Sequence, residues 1–221
     1  MEQRAHFTQK LEELKMQVLR MAALSEKAVH NAVTAFFEND NEMAESVIMG
    51  DIEINDLENA IDKYNLELLA LDQPMARDLR FIVGTMRITV NLERIGDEAV
   101  NLAHRAMFLS SRPPLPYNQR MEMLADIAKK MVADSLKAFV DEDTELAGEV
   151  CEMDNQADEM NLKILKEFIN GMVAESRIVE RGVHAIMAAR HLERIGDLAT
   201  NVAEAVVFIV EGEDVKHKCR G

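Results

Sequence analysis

The chain has 221 residues, 48% of them hydrophobic, enough to fill one large core or two small ones. Its 40 acidic against 25 basic side chains give a formal net charge of −15, which repels phosphodiester backbones and excludes a nucleic-acid partner. Two cysteines, Cys151 and Cys219, are too few for a disulfide framework; with no apolar leader and no run near the ~18 residues of a membrane span, the expected location is the cytoplasm.

Punctuation is sparse, with 4 Pro and 9 Gly, so the expected elements are long helices. The first covers about residues 5–38, where Leu11, Leu14, Val18, Met21, Ala28, Ala32 and Ala35 recur near helical spacing. "END" at Glu38 to Asp40 closes it. A second helix, about 41–71, runs to the break at Gln73-Pro74, and a third covers about 75–110. "SRPPLPYNQ", Ser111 to Gln119, holds three of the four prolines and reads as a linker. Beyond it come helices at about 118–141, closed by "DED", 144–170, closed by Asn170-Gly171, and 175–211. "AVVFIV" in the last is helix core. The fold class is all-α, a tandem duplication of two three-helix bundles built from six long helices. Residues 1–112 form the first bundle and 117–221 the second, joined by residues 113–116.

The duplication is written in the chain itself. LERIGD occurs twice, starting at Leu92 and at Leu192, and "AFFENDNEMAESVIMGD" from Ala35 matches "AFVDEDTELAGEVCEMD" from Ala138. Within the hexapeptide, Glu93 and Asp97 are four apart and share one helix face, as do Glu193 and Asp197. That face borders a stripe of Phe81, Ile88, Leu92, Ile95, Ala99 and Leu102 that reads as core. Arg87, Asn91, Arg94, Glu98 and Arg105 fall on the side expected to face solvent. The second helix of each unit carries another pair: Asp51 with Asn55, matched by Asp154 with Asp158. Two antiparallel helices that each present acids at i and i+4 can surround a cation with hard oxygen ligands. Mid-helix Gly96 and Gly196, each about 1 kcal/mol worse than Ala, suggest that a backbone or an ion approaches closely there. The competing reading has Glu93 and Glu193 ion-paired to arginines, with the glycines serving helix packing. On ligand count the second site, with four carboxylates, should bind more tightly than the first, where Asn55 leaves three.

Other residues carry less chemistry. The 15 Met residues are core filler, Cys151 reads as a buried small hydrophobe, and His30, His104, His184 and His191 as surface or seam histidines. No histidine has a glutamate three positions before it, so the di-iron Glu-x-x-His motif is missing. No Walker loop, dinucleotide turn or nucleophile elbow occurs either. The chain is not expected to be an enzyme.

"LLALDQPMARDLRFI" (Leu68 to Ile82), the two LERIGD copies with the following "NLA" and "TNVAEAV", and "FIVEGEDVKHK" at the end together resemble the PhoU family across essentially the whole chain. The resemblance implies six helices in two bundles and E(D)-x-x-x-D motifs that hold metal. On this chain those motifs are Glu93/Asp97, Glu193/Asp197 and Asp154/Asp158, with Asp51/Asn55 departing by its amide. The implied cofactors are divalent or trivalent metal ions: iron, zinc, manganese or magnesium. Many relatives place a histidine at Leu198, a nitrogen ligand this chain lacks. The implied role is a metal-binding signalling adaptor that negatively regulates the phosphate-starvation response. Its implied partners are the ATPase of the phosphate ABC transporter and a sensor histidine kinase; it would be peripheral at the membrane through those partners, and a homodimer. Alternatives are a purely structural helical scaffold or a paralogue serving another transporter, with a metal-dependent phosphohydrolase third.

Overall fold

Side-chain caps and single left-handed residues set where the helices stop and start. The computed structural model describes residues 2–116 and 118–213. Tyr117, Cys219 and the end of "FIVEGEDVKHK" lie outside the described residues. In the first half, α1 spans Glu2–Glu38, α2 Asn41–Asp72 and α3 Ala76–Ser110; in the second, α4 spans Gln119–Asp141, α5 Thr144–Ala174 and α6 Val179–Glu211. Asn39 (φ 56°) turns the chain after α1, and the Asp40 carboxylate then accepts the Met43 amide at 2.9 Å. The matching turn repeats the device: Glu142 (φ 54°) is left-handed and Asp143 accepts the amides of Glu145 and Leu146. A free carboxylate at a helix N-terminus satisfies donors the helix cannot and suits the positive end of its dipole.

One boundary differs from the sequence expectation. Asn170-Gly171 does not end α5, which continues to Ala174, and a 3₁₀ turn at Ser176–Ile178 delays α6 to Val179. Gly171 keeps helical backbone, and a Cβ there would make only ordinary contact with Ile178, so the glycine does not terminate the helix.

Each half is an up-down-up bundle. Leu14, Val18, Met21, Ile54, Ile61, Leu68, Ile88, Leu92 and Ile95 fill the first core, and Leu124, Met131, Ile164, Leu192 and Ile195 the second. Complete burial of a Leu or Ile side chain contributes roughly 1.5–3 kcal/mol, so the apolar seam is what holds these helices together. Phe81 is half-buried, not core, and stacks on Phe139 of α4 at 6.4 Å between ring centroids. Cys151 is buried but is not a free thiol, which corrects its reading as a plain small hydrophobe.

The two bundles meet along α3 and α6, which run antiparallel: Gly84 lies against Ile209, Glu98 against His191 and Arg105 against His184. Gly84 allows this approach, since a Cβ there would overlap the Ile209 side chain. The face of α3 assigned to solvent is therefore largely an interface. Glu98 is 5% exposed; its carboxylate accepts from His191 Nδ1 at 2.7 Å and from Arg194 Nη1 at 3.1 Å. The Arg87 guanidinium lies 4.2 Å over the Phe208 ring. The polar stripe of α3 is satisfied by the other bundle, not by water, although on one helix the two look alike.

Candidate metal centres

Both carboxylate groups sit on the outer flank of their bundle, between the second and third helices. In the second bundle, Asp158 of α5 and Glu193 and Asp197 of α6 bring one carboxylate oxygen each within 4.8 Å of one another. Among the described residues, no other three His, Cys, Asp or Glu side chains converge so closely. Asp154, one turn away on α5, is buried at 7% exposure and is not part of that trio. Three carboxylates this close cannot all stay ionised without a counter-charge. The cost falls on Glu193, whose carboxyl is pushed up to about 7 by burial first, then by the charges of Asp197 and Asp158, with a hydrogen bond to Asp158 favouring the protonated form.

In the first bundle the same positions are arranged differently. Asn55 Nδ2 donates to Asp51 Oδ2 at 2.9 Å, so the amide is turned toward its helical neighbour. That leaves Asp51 Oδ1 and Asn55 Oδ1 fully buried with no hydrogen-bond partner. Such orphaned oxygens cost roughly 1–3 kcal/mol each. Asp51 Oδ1 lies beside Gly96, where an added Cβ would come within 3.2 Å of it and 3.1 Å of Ile54 Cδ1. The missing side chain at Gly96 thus leaves room for the carboxylate. At Gly196 the space is taken by the Met131 thioether, 3.1 Å from where a Cβ would lie, so that glycine serves packing alone.

Electrostatics tie the first group together and add a member the sequence did not single out. Burial chiefly raises the Asp51 carboxyl, with the charge of Asp97 adding to it. Glu93 is raised by burial, then by Asp97, Glu58 and Asp51. Glu58, half-buried on α2, is raised by burial, by Asp62 and by Asp97. The Arg94 guanidinium works against both shifts. Neither Glu93 nor Glu193 pairs with an arginine at contact distance among the described residues; Arg194 is engaged by Glu98. Glu58 has Asn161 as its counterpart in the second half, so it lies outside the pattern that the two repeats share.

The donor set suits a hard cation. All oxygens, several of them ionised, clustered and partly desolvated, with two orphaned and buried, is the chemistry that magnesium, manganese, iron and zinc take from carboxylates.

Comparison with known proteins gives the same family from three directions. A family model described as the PhoU domain matches residues 18–106 and again 121–206, one match per bundle. The chain is 42% identical over 208 residues to a phosphate-specific transport system accessory protein PhoU homolog of Aquifex aeolicus, covering 94% of each chain. A relative of the same description from Pseudomonas putida is 39% identical over 212 residues, covering 96% of this chain and 83% of its own. Among solved structures, the crystal structure of PhoU from Pseudomonas aeruginosa superposes with a TM-score of 0.91 at 36% identity, covering 94% of this chain and all of that one. The phosphate transport system regulatory protein PhoU from Streptococcus pneumoniae gives 0.87 at 30% identity, over 95% of this chain and 99% of its own.

Proposed function

The chain belongs to the PhoU family, and from that premise we propose that it is an accessory regulator of a phosphate transport system whose two carboxylate sites hold metal ions. The observation that supports the metal is the burial of one carboxylate and one amide oxygen without partners in the first bundle and the convergence of three carboxylates in the second. Asp51, Glu93 and Asp97, with Asn55, would hold an ion between α2 and α3; Asp154, Asp158, Glu193 and Asp197 would do so between α5 and α6. A bound cation supplies positive charge that removes the acid–acid repulsion. The chain's own contribution is to place acids on two helices, so that the ion cross-links them and stiffens each outer flank.

The regulatory part of the reading rests on what the relatives are named: accessory and regulatory proteins of phosphate transport. Carried to this chain, it acts in the cytoplasm by contact, not by catalysis, negatively regulating the phosphate-starvation response. Its partners would be the transporter ATPase and a sensor histidine kinase, and it would work as a homodimer, meeting the membrane only through those partners. Among the described residues no helix is long and apolar enough to cross a membrane. The net charge of −15 suits encounters with basic protein surfaces, which salt would weaken. Deleting the gene in its host should leave phosphate-starvation genes switched on at high phosphate. Normal repression in the deletion strain would overturn the regulatory reading.

A further inference from the structure

Glu58 stands where the first site is short of charge. α2 and α3 are antiparallel, and two contacts set their register: Asp51 against Gly96, and Thr85 Oγ1 donating to Asn65 Oδ1 at 3.3 Å. Glu58 is midway between those levels on α2, seven residues from Asp51 and three from Asn55, which keeps all three on one face of the helix. The level opposite falls between Thr89 and Leu92, next to Glu93. Side chains on a helix lean toward its N-terminus, so in antiparallel partners Glu58 leans toward the level of Glu93 and Glu93 toward that of Glu58. The Glu58 charge is felt at Glu93, and the Asp97 charge at both, which places Glu58 beside the group.

The repeat shows what is exchanged. Asp158 and Asn161 in the second bundle correspond to Asn55 and Glu58 in the first, so carboxylate and amide have changed places along the helix. Counted with Glu58, each site has four carboxylates, and the deficit expected from Asn55 disappears. We propose that Glu58 is a carboxylate ligand of the first-bundle site, supplying from one turn further along α2 the charge that Asn55 lacks. This rests on the reading of both sites as metal sites. Glutamate reaches one methylene further than aspartate, so the first site is set wider across the helix pair than the second.

Binding of Mn²⁺ to the metal-free full chain, followed through the free ion's paramagnetic resonance signal, tests this. Asp97→Asn and Asp197→Asn identify which binding class belongs to which bundle. Glu58→Gln should weaken the first-bundle class on the order of tenfold or more and leave the second unchanged. Adding Asn55→Asp to Glu58→Gln should restore it, because the carboxylate then occupies the position Asp158 holds in the other bundle. If Glu58→Gln binds like the parent chain while Asp97→Asn loses the site, Glu58 is not a ligand and the metal reading stands. If Asn55→Asp restores nothing, the loss is structural and the proposal fails. If the parent chain binds no Mn²⁺ at all, the metal reading falls and this inference with it.

Discussion

Glu193 is the residue whose ionisation reports most directly on the second site. Its carboxyl is raised to about 7 in the folded chain against an ordinary 4.5, with burial the largest cause. The folded state therefore holds this proton more tightly than the unfolded state does. The resulting stability is fully present below about pH 4.5 and is lost as pH rises through about 7. In chelator, melting at pH 8 should fall below melting at pH 5.5 by an amount worth on the order of 1–2 kcal/mol for this group, after discounting for solvent screening. Glu193→Gln should remove that part of the slope, and saturating metal should flatten it, since a cation holds the carboxylate ionised. Melting curves at the two pH values with and without chelator check this; an unchanged slope in Glu193→Gln would refute it. At Gly96 the outcome separates affinity from stability. Gly96→Ala gains up to about 1 kcal/mol of helix propensity, but its methyl presses on Asp51 Oδ1 and Ile54. Melting in chelator should stay within a few degrees of the parent chain, while metal affinity at the first site drops in a Mn²⁺ titration.

At the scale of helices, the α3–α6 contact depends on Glu98, a buried carboxylate held by His191 and Arg194 across the bundle boundary. The duplication is broken here, because Leu198 occupies the matching position in α6 and Asn91 matches His191. Glu98→Ala should cost about 1–3 kcal/mol by leaving buried donors unmatched, read as a lowered melting temperature. Glu98→Leu, which fills the space as Leu198 does, should recover much of that loss. Equal melting of all three chains would mean the network contributes nothing. The long helices themselves were legible: few breakers, apolar spacing, and the END and DED turns whose aspartates cap α2 and α5. Glu98 was not legible as interface. The periodicity of α3 shows which residues face its own bundle, but a polar stripe facing a second bundle looks like one facing water. The small residue at Gly84 and the Glu98/Leu198 mismatch were the available signals.

For the molecule as a whole, duplication set both what could be read and what was hidden. Glu93, Asp97, Glu193 and Asp197 stand out because LERIGD repeats, and in the second bundle the pair converges with Asp158 of the partner helix. Glu58 was masked by Asn161, since a position that differs between copies draws no attention in a search for repeats. How closely Asp158, Glu193 and Asp197 converge is a matter of helix spacing, which no single-helix pattern encodes. Metal held by these carboxylates is what the proposed role of both bundles depends on. The most direct measurement is the metal content, by elemental analysis, of the full chain purified without chelator, set beside the Asp97→Asn/Asp197→Asn double variant. The parent chain should carry metal ions in both bundles and the double variant should lose most of them. Equal metal in the two proteins, or none in either after supplementation with iron, manganese, zinc and magnesium, would contradict it.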